Sequence, residues 1–280
     1  MESDSSRDIC CISSPNTGSS SPVAQERDAA QALWEAMVSK SRISPPRVLL
    51  DTPDLAAGYR VQALNVSRFV AEGQQKAGYK LALTSPAIQK QFGLNEPTSG
   101  VLFRSMVKGD NSTIEFSGLH QSRAEGEVAF EMAKGILDRS ASVEDVLSAI
   151  GRARPAIEIV NCRIADWAVT SFDFVADNSA AEFVVLGESE LEFRSRDLAR
   201  VEMQLFEGGT VQARGRGDAC MGNPITALHW LAMHLLQQGT PLEPGDIVMT
   251  GSLGPAVPLK SGDRIEMRLQ GTEPVRLQLS

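Results

Sequence analysis

The stretch Arg123-Ala-Glu-Gly-Glu-Val-Ala-Phe130 constrains the fold most tightly, because it sets two carboxylates two residues apart in a segment otherwise suited to a buried strand. Side chains on a strand repeat with period two, so Glu125 and Glu127 share one face while Val128 and Phe130 take the other. A third acid, Glu158, sits between two isoleucines in Pro155-Ala-Ile-Glu-Ile-Val160. An unpaired carboxylate in such surroundings costs several kcal/mol or gives up its charge. A divalent cation shared by the three acids removes that cost, and a donor set of oxygens alone suits Mg2+ or Mn2+ rather than zinc. The spacing also describes the solvated face of an edge strand, with Glu158 paired to Arg154 or Arg163. Taken alone, it favours that plainer reading.

At 280 residues and 42% hydrophobic content the chain can bury a substantial core. A formal net charge of −8 and the lack of any Lys/Arg run argue against a nucleic-acid partner. The cysteines Cys10, Cys11, Cys162 and Cys220 show neither zinc spacing nor a disulfide framework, which favours a reducing compartment. No apolar run approaches the roughly 20 residues that span a bilayer. The serine-rich start, residues 1–24, is expected to be a disordered tail, and the protein to be cytoplasmic with no membrane association.

Helical periodicity is expected over Gln25 to Lys40 and over Asp54 to Gly73, the second with Leu55, Tyr59, Leu64 and Phe69 on its apolar side. Ala77 to Leu83 reads as a short strand with Lys80 among apolar neighbours, followed by a helix that Thr84 or Ser85 caps. Lys80 is then a candidate proton-transferring amine shielded from water, or a lysine that snorkels out from a strand edge. Asn95 to Gly100 reads as a loop. Ser142-Val-Glu-Asp145 opens a helix in capping-box style, and Asn223-Pro224 opens another to Gln238. His229 and His234 in that helix are about 140° apart around its axis and do not form a metal pair. One is expected to be packed and the other exposed, while His120 is a lone loop residue. Beyond Leu242 the chain reads as strands and turns, with a glycine-rich bend at Met249 to Pro255 whose amides could hold an anion, although taken alone it reads as a wide turn.

In order along the chain, Gly78-Tyr-Lys-Leu-Ala-Leu-Thr-Ser85, the Glu125/Glu127 stretch, Pro155 to Arg163, Val175-Ala-Asp-Asn178, Gly222-Asn-Pro224 and Pro244 to Gly251 form a specific set. Together they resemble the 2-hydroxypenta-2,4-dienoate (2-oxopent-4-enoate) hydratases, a branch of the fumarylacetoacetate hydrolase superfamily that includes 4-oxalocrotonate decarboxylases. The likeness runs from about Gln25 to the C-terminus. It implies an α+β fold, a fumarylacetoacetase-like mixed β-sheet roll with flanking helices and a helical N-terminal portion. With the tail, the expected division is 1–24, 25–110 and 111–280, the last carrying the metal.

The resemblance further implies Mg2+ or Mn2+ held by Glu125, Glu127 and Glu158, catalysis by Lys80 and Asp177, and substrate contacts from Leu81, Asn178, Thr250 and Ser252. The implied enzyme is a homo-oligomeric hydro-lyase of aromatic-compound catabolism. It adds water to a small 2-hydroxy-2,4-dienoate to give a 4-hydroxy-2-oxo acid. Ala82 departs from the glycine usual in relatives, which narrows the space beside Lys80. Decarboxylation of a 2-oxo dioate, hydrolysis of an acylpyruvate C–C bond, and a binding protein without turnover remain as alternatives.

Overall fold

The computed structural model describes residues 21–119 and 121–280 together with the backbone of Ile9–Cys10. Most of the expected tail, with Cys11 and the side chain of Cys10, lies outside the described residues, as does His120. Within them, Ile9–Cys10 pairs in parallel with Arg42–Ile43, and the first helix already starts at Pro22, where the Ser21 side chain caps it. Contacts divide the chain into a helical unit (1–74, 117–122 and 161–180) and a β unit (75–116, 123–160 and 181–280). The chain therefore passes between units several times, where the sequence suggested one boundary near residue 110.

In the helical unit, Pro22–Val38 and Leu55–Ala71 are the long helices, joined by Ser171–Ala176. Their core gathers Leu33, Leu49, Val61, Ile164 and Phe172. The buried face of the second helix is Ala57, Gly58 and Val61, and Leu64, expected inside, is 39% exposed. Close approach explains the shift: a Cβ on Gly58 would stand 2.9 Å from the Phe172 carbonyl oxygen, so small residues rather than large ones mark this contact. Asp173 completes a capping box with Thr170 and also takes the Arg47 guanidinium and, at 3.0 Å, the Arg47 amide.

Among the described residues the β unit holds an eight-stranded and a five-stranded sheet. The larger runs Thr98–Phe103, Lys76–Ala82, Ile247–Met249, Arg123–Met132, Ile150–Val160, Ala181–Leu186, Val107–Gly109, with Val257–Pro258 added beside Arg123–Met132. The smaller runs Thr210–Arg216, Glu202–Glu207, Arg264–Leu269, Val275–Leu279, Ser112–Ile114. The sheets meet where Gly126 lacks a side chain. A Cβ there would lie 2.8 Å from Met203 Sδ and 3.0 Å from Met267 Cγ. The second sheet thus covers the face of the central strand opposite its two glutamates.

Thr98, Ser99 and Gly100, expected in a loop, are strand residues because they pair with Ala82, Leu81 and Lys80. Ladder pairing outweighs their weak strand propensity. The helices at Val143–Ala149 and Pro224–Gln237 carry the Ser142 and Asn223 caps that the sequence indicated. Both histidines of the latter helix are half-buried, not one packed and one exposed. His229 Nε2 lies 2.9 Å from the Ala141 oxygen, and His234 stacks on Trp230 at 4.7 Å. No described helix is long and apolar enough to cross a membrane.

Candidate metal centre

Strand register alone puts the chemistry on one face. Glu125 pairs with Glu158, and Met249 pairs with Ala129 on one side and with Lys80 on the other. Residues opposite one another in a ladder share a face, and alternation carries that face from Ala129 to Glu127 and Glu125. Lys80 and the three glutamates therefore project together. Carboxylate oxygens of Glu125, Glu127 and Glu158 lie within 4.8 Å of one another. Glu127 and Glu158 are fully buried, Glu125 is half-buried, and the Lys80 side chain is 1% exposed with its Nζ 3.2 Å from Glu158 Oε1.

The plainer readings fail on this geometry. Arg154 binds Glu131 at 2.6 Å and Arg163 binds Asp177 at 3.0 Å, so neither neutralises Glu158. Lys80 cannot snorkel to water because its strand is internal, flanked by Thr98–Phe103 and Ile247–Met249. One ammonium then faces three clustered acids. Glu127 Oε1 is buried without a hydrogen bond, and Glu158 has the Lys80 ammonium at 3.2 Å as its only nearby cation among the described residues, a setting in which buried carboxylates are costly. An oxygen-only trio with lone pairs to spare fits a hard divalent ion.

Desolvation, reinforced by the charge of Glu158, pushes the Glu125 carboxyl up to about 7. Desolvation and the other two acids hold Glu127 well above the usual carboxylate range, against the opposing pull of Lys80 and the Gly251 amide. Burial raises Glu158 as well, with Lys80 opposing. Below the unfolded value of 4.5 these groups are protonated in both states and carry no penalty. As pH climbs from there toward about 7, the unfolded chain releases the Glu125 proton before the folded protein does. Stability of metal-stripped protein should therefore fall over that window. A bound cation displaces the same protons, so its affinity should rise over it. Melting curves in chelator and in excess Mg2+ should separate progressively from pH 5 to pH 8, and a constant gap would contradict the site.

In the Met249 to Pro255 bend one amide is taken by the protein's own side chain: Gly251 N–H donates to Glu127 Oε2 at 2.8 Å. Gly251 has φ +103°, which favours glycine, and a Cβ there would meet Thr84 Cγ2 at 2.5 Å. Cys220, to which the sequence assigned no zinc or disulfide role, donates to the Gly251 oxygen at 2.8 Å and so braces this peptide. No local pattern signals that role, since the two residues meet only through the fold. Thr250 Oγ1 donates to the Val128 oxygen at 3.0 Å and Ser252 Oγ to the Gly254 oxygen at 2.7 Å. Leu81 directs its side chain to the face opposite Lys80, away from the acids, and is paired with Ser99 in the ladder.

Asp177 and Asn178 belong to the helical unit. Buried Asp177 accepts from the Arg163 amide at 2.9 Å and from its guanidinium at 3.0 Å. Asn178, Ser179 and Ala180 follow with φ of 53°, 51° and 58°, a run of left-handed residues. Each costs roughly 1–2 kcal/mol outside glycine, so the surrounding structure must hold this turn in place.

Residues 65–279 match the fumarylacetoacetate (FAA) hydrolase C-terminal family. The chain belongs to the fumarylacetoacetate hydrolase family. It is 38% identical over 251 residues to the 2-keto-4-pentenoate hydratase of Paraburkholderia phymatum, covering 90% of this chain and 96% of that one. It is 34% identical over 255 residues to the 2-hydroxyhexa-2,4-dienoate hydratase of Comamonas testosteroni, covering 89% and 96%. Among solved structures, the 4-oxalocrotonate decarboxylase of Pseudomonas putida G7, complexed with magnesium and adipate, superimposes with a TM-score of 0.88 at 26% identity over 93% of this chain and 99% of that one. The mixed sheets with flanking helices are thus the α+β fold of this family.

Proposed function

We propose that this member of the fumarylacetoacetate hydrolase family is a hydratase that adds water to a 2-hydroxy-2,4-dienoate of the kind formed in aromatic-compound catabolism, giving a 4-hydroxy-2-oxo acid. One observation carries the reading: a lysine amine with almost no solvent exposure stands against a trio of clustered glutamates on a single sheet face, two of them, Glu127 and Glu158, fully buried. Likeness to hydratases across nine-tenths of the chain supports it. Glu125, Glu127 and Glu158 would hold Mg2+ or Mn2+. When bound, the ion anchors the substrate carboxylate and polarises the neighbouring 2-oxygen.

The protein's own groups manage protons and position. The 2-hydroxyl of the dienol loses its proton and the terminal carbon gains one, giving a conjugated 2-oxo-3-enoate. Water oxygen then bonds to C4 and C3 takes a proton, for a net uptake of one water. Lys80 is the proton carrier in this reading, renewed by its contact with Glu158. Glu158 also fixes the amine in one orientation, and burial excludes competing water. Leu81, Thr250 and Ser252 of the β unit contact the substrate. A cytoplasmic, homo-oligomeric enzyme completes the reading.

Decarboxylation of a 2-oxo dioate is the second reading, supported by the structural likeness to the decarboxylase. Hydrolysis of a C–C bond is less well served, since His229 and His234 are engaged by Ala141 and by Trp230 rather than by the acid cluster. Incubating the purified protein in Mg2+ or Mn2+ with a panel of dienols and with 4-oxalocrotonate separates them. Loss of dienol absorbance with a 4-hydroxy-2-oxo acid as product is expected. CO2 release from the dioate as the dominant reaction would replace this reading with decarboxylation.

A further inference from the structure

The bend that follows Ile247–Met249 is fastened to the glutamate strand at successive residues. Thr250 N–H donates to the Val128 oxygen at 3.3 Å, Gly251 N–H to Glu127 Oε2 at 2.8 Å and Leu253 N–H to the Gly126 oxygen at 2.9 Å. The middle bond ends on a side chain of the acid cluster, and it divides that carboxylate in two. Oε2 of Glu127 is committed to the backbone, while Oε1 is buried without a hydrogen bond and left to take an ion. The direction of the Gly251 amide therefore sets where the ion-binding oxygen stands.

Gly251 cannot hold that direction by itself. Its φ of +103° suits glycine, and Thr84 Cγ2, 2.5 Å from where a Cβ would stand, leaves no room for a side chain that would narrow its backbone freedom. The other side of the residue must be held instead, and Cys220 holds it. Cys220 Sγ lies 2.8 Å from the Gly251 oxygen and 3.6 Å from the Ser252 oxygen. Both are carbonyl acceptors, so the thiol donates. Cys220 is fully buried, and its own main chain is secured on both sides. Its N–H donates to the Gly217 oxygen at 3.1 Å, and its oxygen accepts from Asn223 N–H at 2.9 Å, where the helix Pro224–Gln237 begins. Arg216 N–H also donates to the Leu253 oxygen at 2.8 Å, so this segment grips the bend at two points.

We propose that Cys220 is a positioning residue for the metal centre, orienting Glu127 through Gly251 so that Oε1 faces the ion. The inference rests on the metal-dependent reading of the site and adds a residue to it. The thiol acts through the backbone and touches neither ion nor substrate. Its loss weakens ion binding and leaves the proton transfers of Lys80 alone.

The test measures Mn2+ affinity, from the electron paramagnetic resonance of the free ion, in wild type, C220S and C220A, with kcat for 2-hydroxypenta-2,4-dienoate at saturating Mn2+. Serine and alanine are nearly equal in size, so the pair isolates the donor. Groups that orient a metal ligand are typically worth about 10- to 100-fold in affinity, and a weak thiol donor acting through a glycine belongs at the low end. C220A should bind Mn2+ about tenfold more weakly than wild type and C220S within about threefold of it, with kcat at saturation kept within about twofold in both. C220V keeps the thiol's volume without a donor and should match C220A. It carries the comparison if the alanine cavity prevents folding, which melting curves in chelator check. Equal affinities in C220S and the donorless variant would reduce Cys220 to packing and overturn the proposal, with the metal site left standing. A fall in kcat at saturation as large as the fall in affinity would put the thiol in the reaction itself and also overturn it. Wild type that binds no Mn2+ would overturn the proposal and the metal centre together.

Discussion

Glu127→Gln is expected to lower kcat/KM by at least about a thousandfold while leaving the fold intact. The substitution preserves shape, and the glutamine oxygen can still accept the Gly251 amide that now reaches Glu127 Oε2 at 2.8 Å. It removes one of three anionic donors from a site whose ion would lower the barrier by several kcal/mol, and about 1.4 kcal/mol is a factor of ten. Stability should move the other way. Glu127 is a buried acid held well above its ordinary range, and a neutral amide escapes that penalty. Metal-stripped Glu127→Gln should therefore melt no lower than metal-stripped wild type at pH 8, while binding Mn2+ much more weakly. An active variant insensitive to chelator would rule the site out.

Lys80→Met should cut kcat by about 10² to 10⁴, the usual worth of a positioned acid/base group. Methionine fills similar volume without the charge, so packing is largely kept. Glu158 loses its basic partner at 3.2 Å, and the metal-stripped variant should be destabilised because a buried carboxylate is left without a countercharge. Bound Mg2+ should restore much of that loss. A purely structural lysine would act through metal affinity, whereas removing a cation from beside the acids should leave affinity equal or higher as kcat falls. Borohydride treatment of wild type with substrate should not label Lys80. Labelling would mean that the amine bonds covalently to the 2-oxo carbon, and the proton-carrier role would be withdrawn.

The sequence was informative where local pattern decides structure. Alternation at Glu125 and Glu127 and the caps at Ser142 and Asn223 are each settled within a few residues, and each is found in place. The ordered motifs pointed to the family that residues 65–279 match. What local pattern could not show was whether Lys80 is shielded. That depends on three residues, Ile247–Met249, inserting between its strand and the glutamate strand, a pairing made across more than a hundred residues. The division into units was hidden for a similar reason. Segments 117–122 and 161–180 leave the β unit to join the first helices, and nothing in their composition marks the return. Leu64 misled because a large apolar residue is an unreliable sign of the inner face where helices approach through Ala57 and Gly58. The bracing of Gly251 by Cys220 lay beyond any local signal.

Anomalous diffraction from crystals grown with Mn2+ addresses the central claim most directly. The account predicts one strong peak roughly 2.0–2.3 Å from an oxygen of each of Glu125, Glu127 and Glu158, with Lys80 Nζ still turned inward beside it. A peak bound elsewhere, or an ion held by only one of these acids with the amine swung out to bulk water, would contradict it.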